Sequence, residues 1–141
     1  MTTPFLATDI ERDEGRIRTA YRDTLGIWTV GVGHAHVTPG TVWNEAQIDA
    51  ARDRDIALAC HDLDTHLPWW RKLDDVRQDV LANMVFNMGM ASVLQFKATL
   101  AAIRIGQWTL AAAGMRASRW ARQVGMRAAR LAVQMQTGKR V

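Results

Sequence analysis

The sequence holds one cysteine, Cys60. A lone thiol excludes an internal disulfide framework and, without a matching cysteine, a thiolate metal site, so Cys60 reads as an ordinary thiol on or under a helix. No apolar run approaches the roughly 18–20 residues of a spanning helix, and the start Met1-Thr2-Thr3-Pro4 lacks the basic-then-apolar layout of a secretory signal. A soluble chain made in a cytoplasm is therefore expected. Repeats, low-complexity tracts and Pro-, Gly- or Ser-rich linkers are also missing, and 141 residues suit one cooperative domain over 1–141. The most informative absence is acid beyond Asp79. Residues 1–79 carry nine Lys/Arg and all fourteen Asp/Glu, whereas residues 80–141 carry the other nine Lys/Arg and no acid. So basic a half should attract a polyanion: nucleic acid, an anionic membrane or an acidic wall polymer. Composition does not choose among the three.

What is present reads as a helical body with a small sheet. Phe5, Leu6 and Ile10 recur at helical spacing, and Gly15 is a helix-ending residue, so Glu14 falls at a helix C-terminus. Residues 16–21 can be extended, Arg22-Asp23-Thr24-Leu25-Gly26 has turn chemistry, and Ile27-Trp28-Thr29-Val30-Gly31-Val32 is strand-like, which together predict an antiparallel hairpin. Thr38-Pro39-Gly40 marks a loop. Asn44-x-x-Gln47 then forms a capping-box pattern opening a charged helix to about Thr65, closed by Pro68. Val76, Val80, Leu81, Met84, Val85 and Met88 follow the helical rule up to Gly89, the best core helix in the chain. Shorter helical pieces are expected around Val93–Ile105 and Trp108–Arg116, a turn capped by Ser118 before Trp120, and a basic amphipathic helix from about Met126 to Gln136.

Glycosidic cleavage passes through an oxocarbenium-like state and needs one carboxyl that arrives protonated and another that arrives ionised. Glu14, among apolar neighbours at a helix-to-strand junction, suits the first, and Asp23, in a polar turn, suits the second. Thr29 lies close enough through the hairpin to hold a water between itself and Asp23. By itself this Glu, Asp and Thr spacing arises easily by chance in a charged chain.

Its neighbours make it more specific. Glu14-Gly15, Ala20-Tyr21-Arg22-Asp23-Thr24 and Gly26-Ile27-Trp28-Thr29-Val30-Gly31-Val32-Gly33-His34 together resemble the active-site signature of the phage-type lysozymes, glycoside hydrolase family 24. The resemblance continues through Asn83-Met84-Val85-Phe86-Asn87-Met88-Gly89, Phe96, Trp108, Ser118-Arg119-Trp120, Gln123, Arg127 and Thr137-Gly138, nearly the whole chain. It implies an α+β, mostly helical, two-lobed fold: an antiparallel β lobe at about 15–45, a long connecting helix at about 45–66, and a helical lobe at about 67–141 that also takes the N-terminal helix 1–13. It implies a peptidoglycan hydrolase that cuts the β-1,4 bond between N-acetylmuramic acid and N-acetylglucosamine with inversion, in phage lysis. Inversion requires the carboxyls to stand roughly 6.5–9.5 Å apart.

By the same resemblance, Glu14 is the general acid, Asp23 the second catalytic carboxylate and Thr29 the residue that positions water. Gly33, Phe86, Asn87 and Trp120 are substrate-binding candidates. Arg127 pairs with the catalytic glutamate and orients it, and His34 forms an ion pair with an acid of the connecting helix. Counting from the Asn44 cap favours Asp55, with Asp53 left open. Asn87 and Gly114 stand where relatives carry a longer amide and a polar side chain, and Val124-Gly125 replaces a polar residue and proline, so subsites are expected to differ.

The remaining features take plainer readings. His34-x-His36 on a strand would place two rings on one face, but no tight ligand cluster accompanies them, and neither metal nor cofactor is expected. Met84, Met88 and Met90 read as core, and Trp69-Trp70 as locally buried. The expected partner is bacterial peptidoglycan, acted on by a monomer after release from the host cytoplasm through a separate holin; an anionic membrane surface is a second candidate, and nucleic acid is not expected. A lytic transglycosylase is the enzymatic alternative, disfavoured by Asp23 and Thr29. A basic membrane-disturbing protein, built on Arg116, Arg119, Arg122, Arg127 and Arg130, is the non-enzymatic one.

Overall fold

A computed structural model describes residues 3–141; residues 1 and 2, and with them the first part of the helix expected over 1–13, lie outside the described residues. The fold is α+β and mostly helical, with one three-stranded antiparallel sheet of order β1-β2-β3. The chain divides into two compact units, residues 4–58 and residue 3 with residues 59–141. No helix among the described residues is long and apolar enough to cross a membrane.

In the first unit, helix α1 (Phe5–Glu14) buries Leu6 and Ile10, one turn apart, and Gly15 ends it at φ 80°, with its N–H donated to the Glu11 carbonyl. Strand β1 (Ile17–Arg22) pairs with β2 (Trp28–Gly31) in the register Tyr21↔Thr29 and Arg22↔Trp28, with an irregularity between Ile17 and Tyr21. The expected hairpin gains a third strand, β3 (His34–Ala35), and Thr19 bridges to Val42 beyond it. His36 departs from the expected strand: its φ of 64° breaks the period-two alternation, so His34 and His36 are not successive residues of one strand face. Gly31 lets Trp43 and Ile48 approach, since a Cβ there would stand 3.3 Å from the Trp43 ring.

Helix α2 (Glu45–His66) starts with the expected capping box: Asn44 Oδ1 accepts from Gln47 N at 2.8 Å, and Asn44 N donates back to Gln47 Oε1 at 2.9 Å. That reciprocity satisfies two orphan donors at the helix start. Residues of α2 up to Leu58 belong to the first unit and those from Ala59 to the second. Helix α1 also falls in the first unit, where the family resemblance implied the helical lobe. The reason is ionic as well as apolar, since Glu11 of α1 accepts from Arg16 at 2.6 Å and from Arg52 of α2 at 2.7 Å.

In the second unit, Pro68–Lys72 form a 3-10 helix that follows α2. Helix α3 (Asp75–Met88) opens on Asp74, whose side chain accepts from Arg77 N, and stops at Gly89. Residues Arg77 to Val85 are all buried, so this helix is enclosed on every side. The piece expected over Val93–Ile105 is two helices, α4 (Met90–Leu94) and α5 (Lys97–Arg104), separated by Gln95 and Phe96. Helices α6 (Trp108–Arg116), α7 (Arg119–Val124, capped by Ser118) and α8 (Met126–Thr137) complete the chain.

Arg77 shows how a buried cation is accommodated. Its guanidinium donates to the Met135 and Gln136 carbonyls near the end of α8 and to Asp74, and it stacks on the Trp108 ring at 3.8 Å. Those carbonyls would otherwise be orphan acceptors of a helix C-terminus. Gly114 is glycine because α5 meets α6 there: an added Cβ would lie 2.2 Å from Thr99 Oγ1.

Candidate active site

The ends of α1 and of the β1–β2 hairpin position the acids. Glu14 is the last residue of α1 and half-buried. Its carboxylate lies against Gly33, whose φ is 63°, and a Cβ on Gly33 would sit 2.7 Å from Glu14 Oε2. Gly33 thus serves twice, taking a left-handed backbone and leaving room for the acid. The helix end is anchored by an ionic cluster, in which Arg16 reaches Glu11 at 2.6 Å, Glu45 at 2.6 Å and Asp49 at 2.9 Å. Glu11, Arg16 and Arg52 were not among the sequence-predicted residues. Only the density of charge around Glu14 and along the charged helix could have signalled them.

Asp23 sits where the turn leaves β1. Its Oδ1 accepts from Leu25 N and Ile27 N, both at 2.9 Å, which fixes the carboxylate plane and, among the described residues, leaves Oδ2 without a hydrogen bond. Thr29 is only 3% exposed, and its hydroxyl donates to the Ile27 carbonyl at 3.0 Å. With that proton committed, Thr29 Oγ1 can only accept from a water. Tyr21, directly across the ladder from Thr29, connects the group. Burial and then the charges of Glu14 and Asp23 push its phenol above the ordinary value, so both carboxylates act on one hydroxyl.

His34 is linked to Asp55 by 2.7 Å between Nδ1 and Oδ2, and its ring leans on Trp43 at 5.2 Å. Asp53 instead accepts from Arg52, its neighbour in sequence. The residues two apart on a helix point about 200° apart around its axis, so only one of the two acids can meet the histidine.

Among the second unit's candidates, Asn83 and Asn87 lie one turn apart on α3. Asn83 Oδ1 accepts from Arg127 Nε and Nη2 at 3.0 and 2.8 Å, and Asn87 Oδ1 accepts from Trp120 Nε1 at 2.7 Å. Arg127 and Trp120 are both buried, so each amide satisfies a polar group that would be costly if left unmet. Trp120 also meets Phe96 edge to face at 6.3 Å and lines a groove of about 410 Å³ with Met88, Arg119 and Gln123. Phe86 is half-buried on the same helix. Among the described residues, no group of three or more His, Cys, Asp or Glu is arranged to hold a metal ion.

Comparison with known proteins agrees with this local architecture. A protein of Dictyostelium discoideum named Probable T4-type lysozyme 1 is 28% identical over an alignment covering 92% of each chain. The pre-baseplate central spike protein Gp5 of Enterobacteria phage T4 is 29% identical over 94% of this chain, which spans only 28% of that relative. An endolysin of Acyrthosiphon pisum secondary endosymbiont phage 1 is 34% identical over 59% of this chain and 56% of its own length. The family described as Phage lysozyme matches residues 11–135, from the last turn of α1 almost to the end of α8. The chain belongs to the phage lysozyme family and is a lysozyme-type hydrolase.

Proposed function

We propose that the chain is a muramidase that hydrolyses the β-1,4 bond between N-acetylmuramic acid and N-acetylglucosamine of bacterial peptidoglycan, with inversion, in the lysis of a host by a phage. One observation carries this reading: Glu14 ends its helix with its carboxylate against Gly33, while Asp23, its Oδ1 held by two turn N–H groups, closes the strand on which Tyr21 faces Thr29 across the ladder. Glu14 protonates the leaving oxygen. Asp23 Oδ2 and Thr29 Oγ1 each accept one proton of a water, which leaves a lone pair for the anomeric carbon. The Thr29 role follows from its hydroxyl already donating to Ile27.

Gly33 leaves the Glu14 carboxylate space; in the other unit, Asn87 and the Trp120 it holds are the candidates for sugar contact. Arg127, held by Asn83, acts as a positioning residue, and His34 with Asp55 fixes β3 to α2. The relatives named endolysin support a role in phage lysis. The test is digestion of purified sacculi followed by product analysis. Reducing ends released with the α configuration are expected; the β configuration would refute inversion, and 1,6-anhydro ends would identify a transglycosylase. Clearing of sacculi by Glu14→Gln protein at the wild-type rate would overturn the assignment of the acid.

A further inference from the structure

The adjacent tryptophans after Pro68 have different fates. Trp70 is fully buried, and its indole N–H donates to Asp64 at 2.8 Å. Trp69 is half-exposed and lines a groove of about 470 Å³ with Lys72, Asp74, Arg104, Gly106 and Trp108. Among the described residues, neither the Trp69 nor the Trp108 indole N–H makes a hydrogen bond, and neither Lys72 nor Arg104 has a hydrogen bond or ion pair. This contrasts with Trp70 and Trp120, whose indole donors are both satisfied. Buried Arg77 covers one face of Trp108, and the ring remains part-exposed. Gly106, at φ 79°, lies beside the rim, where an added Cβ would stand 3.6 Å from Trp108 Cζ2.

Two aromatic walls, two unpaired indole donors and two unpaired cations suit a ligand with apolar ring faces, hydrogen-bonding hydroxyls or amides, and negative charge. We infer that this groove is a second, non-catalytic binding site for the amino-sugar strand of the wall polymer, whose peptide stems bear the carboxylates. This identification of the polymer rests on the muramidase reading. Sugar rings lie on the indoles, and Lys72 and Arg104 take the carboxylates. Asp74, already accepting from Arg77, adds an acceptor for a hydroxyl or amide. Duplex nucleic acid fits less well, because a duplex does not offer its rings to wall-mounted indoles. The consequence is an enzyme that stays on its insoluble substrate between cuts.

The test is co-sedimentation with purified sacculi on ice within minutes, using the full chain, its Trp69→Ala variant and a Lys72→Gln/Arg104→Gln double variant. The latter changes only exposed side chains, so it is expected to fold even if Trp69→Ala does not. Both variants should bind sacculi about tenfold more weakly, while hydrolysis of a soluble tetrasaccharide of the same alternating sugars stays at the wild-type rate. Neutral chitin should lose affinity with Trp69→Ala and not with the double variant. Unchanged binding of sacculi by the double variant overturns the proposal, as does loss of duplex DNA retention or phosphatidylglycerol vesicle binding with sacculus binding intact. A Glu14→Gln protein that still clears sacculi would refute the muramidase reading by itself, because the sedimentation result does not depend on turnover.

Discussion

Residues 4–58 and residues 59–141 use polar groups in opposite ways. In the first unit, backbone geometry and ion pairs place half-exposed acids: a helix end sets Glu14, two turn N–H groups set Asp23, and Arg16 ties three acids together beside them. In the second, polar side chains are buried against partners, as Arg77 is with the end of α8, Arg127 with Asn83, and Asp79 with Arg140 and Thr3. The first arrangement sets part-exposed carboxylates at the ends of a helix and a strand. The second spends its hydrogen bonds on holding helices together. Substitutions of the first unit's acids should therefore act mainly on turnover per folded molecule, and those of the second unit's fully buried side chains mainly on stability.

The sharpest break of that division is Glu14→Gln, expected to lower turnover of sacculi about 10²–10⁴-fold while leaving the thermal midpoint within a degree or so, as read by turbidity and calorimetry. Equal losses of activity and stability would erase the distinction. Next, Trp70→Ala should cost about 3–5 kcal/mol in urea unfolding, with turnover per folded molecule unchanged. Its exposed Asp64 hydrogen bond is a minor part of that loss, since such contacts are worth about 1 kcal/mol.

Gly33→Ala tests where the units' rules overlap. The methyl meets Glu14 and the left-handed backbone disfavours it, so turnover should fall about 10–100-fold, with a stability loss of about 1–3 kcal/mol. A stability loss without a turnover loss would remove Gly33 from the site.

The smallest effect concerns acid. The Arg71 guanidinium, then the Trp70 indole, hold the Asp64 carboxyl down to about 2. A depressed carboxyl stabilises the fold above its unfolded value near 4 and loses that contribution as pH falls toward about 2. Asp64→Asn should thus destabilise by under about 1 kcal/mol at pH 6, given the exposure of the pair, and by less near pH 2. Urea midpoints at the two pH values check this.

Much of the local architecture was legible because short-range chemistry fixes it. Gly15 and Gly89 end helices with positive φ, and Asn44 and Gln47 cap one another from three residues apart. These signals need no distant partner. Strand β3 was missed because two residues offer no periodicity, and the expected alternation at His36 failed where its backbone turns left-handed. Trp69-Trp70 read as locally buried, which holds for Trp70; composition could not reveal that Trp69 would line a groove.

The order of residues alone determined the helix ends, the hairpin turn and the placement of Glu14 and Asp23 at their termini, because caps, turns and apolar periods act over a few residues. Only tertiary structure decided that Asp55 rather than Asp53 meets His34, that Gly33 leaves room for the Glu14 carboxylate, and that Tyr21 feels both acids. Each depends on side chains from separate elements arriving within a few ångströms, a distance that packing sets and residue spacing does not.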